Sequence, residues 1–206
     1  MKKAVSQAVV KRLPRYYRYL QTLEAKGVEK VSSHDLAEML DITASQVRQD
    51  FSCFGAFGQQ GMGYNISNLK KVLAGILGLD QKYNLVVIGA GNIGRAISRY
   101  KGFRAEGFNI VALFDEYLEK QEVNGINLYK LNELPEFLNN NKVDIVVIAT
   151  PQESAQEIAD FIIKLGIKNI WNFATVDINV PDDVIVENIF MSESLYLLSY
   201  RMRNKK

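Results

Sequence analysis

Gly89, Gly91 and Gly94 stand in the spacing Gly-x-Gly-x-x-Gly, with Ala90, Asn92 and Ile93 between them. The unbroken apolar run Leu85-Val86-Val87-Ile88 leads in, and a helical pattern leads away. A strand, a tight turn and a helix N-terminus in that order can hold a phosphate. Gly89 permits the turn, Gly91 lets the backbone approach a pyrophosphate, and Gly94 lets the helix pack on the strand. The first-turn N–H groups then point at the anion. Twenty-one residues after Gly94, a second apolar run ends on Asp115. A carboxylate there accepts from a ribose 2′-hydroxyl and repels a 2′-phosphate, so NAD(H) is expected over NADP(H). Thr150 and Asn172 follow further apolar runs, where such sheets touch their cofactor, and are expected as amide or ribose partners. The alternative is a glycine loop that only turns the chain.

The elements that must position these residues fall into two regimes. From residue 85 onward the pattern is strand, helix, strand, with apolar runs at 85–88, 110–114, 145–149, 167–173 and 184–189. Such runs read as parallel strands buried on both faces of a doubly wound α/β sheet, a Rossmann domain. Before residue 79 the apolar residues recur at helical spacing. One set is Leu13, Tyr16, Tyr17, Leu20 and Leu23; others centre on Leu36 and Leu40, on Val47, Phe51 and Phe54, and on Leu69, Leu73 and Ile76. The expected division is a domain over 1–79, a dinucleotide-binding domain over 84–190 and a C-terminal helix within 191–206.

Within the first region, Ser32 and Asp35 have capping-box spacing, as do Thr43 and Gln46. Two short helices joined around Asp41-Ile42 form a helix-turn-helix whose second helix can enter a DNA major groove. Its outward residues would be Ala44, Ser45, Gln46, Arg48 and Gln49. Arg48 suits phosphate or guanine, and the glutamines suit adenine. The glycine-rich segment 55–64, with Gln59, Gln60 and Tyr64, suits a wing beside the reading helix. Helix pairs of this shape also serve as plain packing modules.

Charge is consistent with a polyanion partner for the first region without requiring one. The 206 residues carry a formal net charge of +2, divided as +4 over residues 1–80 and −2 over the rest. No apolar run spans a bilayer and no signal core follows the basic N-terminus, so cytoplasmic residence is expected. The lone Cys53 cannot form an internal disulfide and reads as a small apolar packer; no Cys/His spacing suits zinc.

The segments 43–51, 54–58 and 61–64, followed by 87–94 and Asn172-Phe173-Ala174, resemble the redox-sensing repressor family Rex over essentially the whole chain. The resemblance implies a homodimer that binds palindromic, A·T-rich operator DNA, senses the ratio of NADH to NAD+, and is released from DNA by NADH. It also implies a C-terminal helix, here about 192–203, exchanged between subunits. Leu195, Leu197, Leu198, Tyr200 and Met202 make that helix too apolar for a free tail. Three departures stand out. Gln49 replaces a family lysine, and Gln59 and Gln60 replace basic wing residues. Between Val31 and Asn65 Arg48 is the one basic residue, against Asp35, Glu38, Asp41 and Asp50. Each lost phosphate contact weakens binding and lowers its salt slope by about one unit. Finally, Phe190 stands where the family carries an aspartate that alternates between an arginine and a tyrosine, matched here by Arg18 and Tyr100.

A pocket lined by Tyr100, Phe103 and Phe190 would favour the neutral nicotinamide of NADH over cationic NAD+, because desolvating a cation is costly; attraction of a cation to an aromatic face acts the other way. A small NAD-dependent oxidoreductase is the rival reading. It lacks support: His34, the chain's one histidine, lies in the helix-turn-helix, and no residues remain for a substrate domain. The expectation is a non-enzyme. A third reading is a sensor of the same kind that no longer binds DNA.

Overall fold

The computed structural model describes residues 5–55, 63–117 and 122–204. The chain divides into two compact units, Met1–Gln81 and Lys82–Lys206, each with its own core.

The first unit contains α1 (Gln7–Ala25), β1 (Lys30–Val31), α2 (Ser33–Leu40), α3 (Ala44–Ser52), β2 (Tyr64–Asn65) and α4 (Ile66–Leu77). At the start of α2 the Ser32 hydroxyl accepts the Asp35 N–H while the Asp35 carboxylate accepts the Ser32 N–H, both at 3.1 Å. Asp41 ends α2 in the left-handed region, with φ 58°. Thr43 then caps α3 by accepting the Gln46 N–H at 3.1 Å. Leu36, Leu40, Val47 and Phe51 close on Leu13, Tyr16, Leu20, Leu69 and Leu73. Each such buried side chain contributes about 1.5–3 kcal/mol. β1 and β2 pair antiparallel, with Val31 opposite Tyr64. A Cβ at Gly63, whose φ is +69°, would lie 2.8 Å from the Val31 carbonyl oxygen, so this close return needs glycine. Gln59 and Gln60 lie outside the described residues.

The second unit contains β3 (Tyr83–Ile88), α5 (Asn92–Arg99), α6 (Gly102–Ala105), β4 (Phe108–Asp115), β5 (Glu122–Val123), β6 (Ile126–Lys130), α7 (Leu134–Asn140), β7 (Ile145–Ile148), α8 (Gln152–Lys164), β8 (Asn169–Asn172), β9 (Ile185–Asn188) and α9 (Met191–Arg203). Among the described residues the strands lie in the order β5-β6-β4-β3-β7-β8-β9. All pair in parallel except β5, which is antiparallel to β6. Val86, Ile88, Phe114, Val146 and Ile148 pack under α7 and α8, while Leu85, Val87, Leu113 and Val147 pack toward Ile97 of α5. Alternate residues of each strand thus enter opposite cores, which explains the unbroken apolar runs. Strand order reverses between β3 and β7, and ligands of open sheets bind at such a switch point, beyond the carboxyl ends of the strands.

The sheet gains β5 and β6, which the apolar runs did not indicate. They form a hairpin about Asn124-Gly125, both at positive φ (56° and 79°). No residue of α9 is buried; Met191, Leu195, Tyr196, Leu198 and Met202 are all exposed. No helix among the described residues is long and apolar enough to cross a membrane.

Candidate dinucleotide cleft and nucleic-acid face

β3 delivers Gly89 to the switch point. Its φ is +100°, and a Cβ there would lie 2.5 Å from the Ala149 carbonyl oxygen. Gly94 lies on the inner side of α5, where a Cβ would overlap the Gly89 carbonyl oxygen at 1.9 Å. These two glycines clamp the helix onto the strand end. Gly91 differs: nothing stands within 4 Å of where its Cβ would be, and no side chain caps the helix there. The first turn, Asn92-Ile93-Gly94, therefore opens onto free space with its N–H groups lacking intrahelical partners. That end of the helix carries about half a positive charge.

Three side chains complete this edge. Asp115, the last residue of β4, accepts the Ala90 N–H at 2.6 Å and the Tyr117 N–H at 3.0 Å. The Arg95 guanidinium braces the same loop by donating to the Ala90 carbonyl at 2.6 Å. Thr150 stands across from Gly89, and its buried hydroxyl has no hydrogen-bond partner. Leaving such a group unpaired costs about 1–3 kcal/mol. A cleft of about 410 Å³ continues along the edge, lined by Glu116, Lys130, Leu131, Asn132 and Ser154. The open cradle over Gly91, the orphaned Thr150 hydroxyl and the Asp115 carboxylate fit the pyrophosphate, a polar group and a ribose of a dinucleotide.

Four expected cofactor residues, Asn172, Tyr100, Phe103 and Phe190, are placed otherwise. Asn172 is fully buried, and its amide donates to the Val176 carbonyl and to Asn188 Oδ1, both at 2.8 Å, while its oxygen accepts the Ala174 N–H at 3.0 Å. It pins the ends of β8 and β9 and has no donor left for a ribose or an amide. Phe103 and Phe190 do not share a pocket within one chain. α5 runs back against the strands for about 12 Å, eight residues at ~1.5 Å each, and carries Tyr100 and Phe103 to the opposite end of the sheet. There Tyr100 packs edge-on to Phe103 at 4.6 Å, and Phe103 edge-on to Trp171 at 5.5 Å. Phe103 lines a cavity of about 620 Å³ with Tyr83, Phe108, Ile145 and Ile185, residues at the starts of their strands. Phe190 instead follows the end of β9, three strands from β3, or roughly 14 Å at ~4.8 Å per strand. Arg18 lies exposed on α1 with its guanidinium 5.6 Å from the Tyr19 ring centre.

On the first unit, Ser45, Arg48 and Gln49 are exposed along α3. Arg48 donates to the Ser33 hydroxyl at 3.1 Å, which holds it toward the start of α2. Two expected contacts fail. Gln46 turns inward and donates to Asp50 at 2.9 Å instead of completing a capping box. Tyr64 is buried against Phe51, edge-on at 5.2 Å, and burial raises its hydroxyl pKa. Its place on β2 makes it a core residue. Positive charge is also scarcer than the sequence suggested: Arg12 pairs with Asp50, Lys70 with Glu24, and Arg15 donates to the Leu40 carbonyl. The grouping of Arg12, Tyr16, Gln46 and Asp50 escaped the motif reading. Its signal was two i,i+4 pairs, each on a face otherwise apolar.

Residues 4–52 match the family described as putative DNA-binding protein N-terminus, and residues 80–176 match the CoA binding domain family. The redox-sensing transcriptional repressor Rex of Thermoanaerobacter sp. (strain X514) is 45% identical over 207 residues, covering 100% of this chain and 92% of the relative. The protein of the same name from Clostridium botulinum (strain Hall / ATCC 3502 / NCTC 13319 / Type A) is 46% identical over 200 residues, or 96% of this chain and 95% of the relative. The crystal structure of RSP in complex with beta-NAD+ and operator DNA matches with a TM-score of 0.91 at 45% identity, covering 99% of this chain and 95% of that one. RSP in complex with beta-NADH matches with a TM-score of 0.90 at 42% identity, covering 99% and 97%.

Proposed function

This chain belongs to the Rex family of redox-sensing transcriptional repressors, and from that premise we propose that it is a cytoplasmic, NAD(H)-responsive repressor that binds operator DNA as a homodimer and leaves it when NADH rises. Its curated relatives are repressors rather than enzymes.

The observation that carries the ligand assignment is the joining of Asp115 to the glycine loop through Ala90. In this reading Gly91 and the first turn of α5 hold the pyrophosphate, Thr150 gains its missing partner, and Asp115 accepts from the adenosine ribose. A phosphate on that ribose would meet the carboxylate, which disfavours both NADP(H) and coenzyme A. The nicotinamide supplies the signal, being cationic in NAD+ and neutral in NADH. Because Tyr100 and Phe103 lie far from Phe190 along one sheet, an apolar enclosure of the nicotinamide requires a second copy. The exposed α9 is the segment we assign to subunit exchange. Phe190 cannot carry the charge alternation with Arg18 and Tyr100, so preference for NADH rests on desolvation.

On the DNA side, Ser45, Arg48 and Gln49 face the groove, and Gln59 and Gln60, matched by the resemblance to basic family residues, add no charge. Binding is therefore weaker and less salt-dependent than in a more basic relative. The test is a mobility-shift titration with A·T-rich palindromes at two salt concentrations, with and without NADH. A shift that NADH reverses and NAD+ does not is expected. A shift indifferent to both nucleotides would sink the sensing role, and no shift at low salt would favour a sensor acting through another protein.

A further inference from the structure

Asp50 is a fully buried carboxylate near the end of α3, and four donors from two helices converge on it. Arg12 grips it with both Nε at 2.6 Å and Nη2 at 2.7 Å. The Tyr16 hydroxyl donates at 2.9 Å and the Gln46 amide at 2.9 Å. Arg12 and Tyr16 are one turn apart on α1; Gln46 and Asp50 are one turn apart on α3. Burial alone would raise the Asp50 pKa, but the bonds from Arg12, Gln46 and Tyr16 and the Arg12 charge hold it below the usual carboxylate value. The anion is therefore permanent at neutral pH, and the two helices are bolted through it.

We propose that Asp50 is a positioning residue for DNA recognition: it fixes α3 on α1 and withdraws Gln46 and Arg12 from the nucleic acid, leaving Ser45, Arg48 and Gln49 to face the groove. The inference rests on the repressor reading above. Base-edge contacts need their side chains held to about 0.5 Å and 10–20°, and the two-pronged ion pair adds a directional tie to the packing of α3 on α1, where the Phe51 ring lies 4.8 Å from that of Tyr16. Simple electrostatics gives the opposite sign. A carboxylate beside a phosphate weakens binding, so deleting one should tighten it.

Duplexes are first selected by the wild-type chain from a pool with randomised palindromic half-sites. Recovery of none removes the repressor reading itself. Asp50→Asn is then measured on the selected duplex and on a scrambled one, with NADH titration as the check that the second unit is intact. We expect a loss of ~10–100-fold on the selected duplex, the range of one or two misplaced base contacts, and no loss on the scrambled one. Equal or tighter binding of the selected duplex would overturn the proposal. Two further variants decide the matter should Asp50→Asn not fold. If Arg12 works through Asp50, Arg12→Gln combined with Gln46→Ala loses less than the product of the two separate losses, because both act on one anchor; multiplicative losses mean independent DNA contacts and refute it. Gln46→Ala alone should bind a few-fold more weakly yet select the same half-site. A changed half-site would make Gln46 a reader after all.

Discussion

The Ala90 N–H donates to the Asp115 carboxylate at 2.6 Å, so the glycine loop is tied directly to the last residue of β4. Asp115→Asn keeps an oxygen for Ala90 but removes the charge. NADH affinity should fall about tenfold, the order of one charge-assisted hydrogen bond, while NADPH is rejected less strongly. Calorimetric titration of both nucleotides checks this, and an unaltered ratio of the two affinities counts against the assignment.

Gly91 and Gly94 should separate ligand contact from packing. Gly91→Ala meets open space, so the melting temperature should barely move while NADH affinity drops at least tenfold. Gly94→Ala places a methyl 1.9 Å from the Gly89 carbonyl oxygen, so both stability and affinity should fall. Scanning calorimetry paired with nucleotide titration distinguishes them. Equal behaviour of the two variants would contradict the geometry.

Thr150→Val removes a buried hydroxyl that has no partner in the free chain. The free protein should be unchanged or up to about 1 kcal/mol more stable, whereas the complex with NADH should weaken. A destabilised free protein would show that the hydroxyl has a structural bond.

The cluster around Asp50 predicts an acid limb to stability. Its folded-state pKa lies below its unfolded one. The stabilisation is therefore whole above about pH 4, the unfolded value, and is lost as pH falls through the lower folded value. Breaking the pair should cost about 3 kcal/mol at neutral pH, at the low end of the range because Arg12 keeps some solvent access. Melting curves of wild type and Asp50→Asn should converge below pH 4. Parallel curves down to pH 2 would rule the linkage out.

For the C-terminal helix, Leu198→Asp puts a charge on an apolar surface that one chain leaves in water. Sedimentation should show the wild type as a dimer and the variant as a monomer. A dimeric variant would remove α9 from the interface.

Legibility in the sequence followed the range of the interactions. The glycine loop and Asp115 could be read because each residue answers a local backbone demand: a positive φ at Gly89, a close approach at Gly94, a strand end at Asp115. Both helix starts were equally local, through Ser32 and Thr43. Tyr64 was misplaced because its motif position said nothing of β2 turning it into the core. Gln46 and Asn172 were misread for one reason: a polar side chain looks outward until a buried partner from a distant element claims it. The hairpin at Asn124-Gly125 is signalled by its turn and not by apolar runs, since Asn-Gly suits the two positive φ values of a tight β-turn. Phe103, expected in one pocket with Tyr100 and Phe190, lies at the other end of the sheet because α5 converts nearness in sequence to the glycine turn into distance.

Trp171 is the chain's one indole, set between Phe103 at 5.5 Å and Phe173 at 4.7 Å on the wall of the larger cavity. All tryptophan emission from a protomer therefore arises at a single address, on β8 opposite Val147. Its colour reports the wetness of that spot with no label attached. A dilution series read in the fluorimeter becomes a record of whether another surface has closed over it.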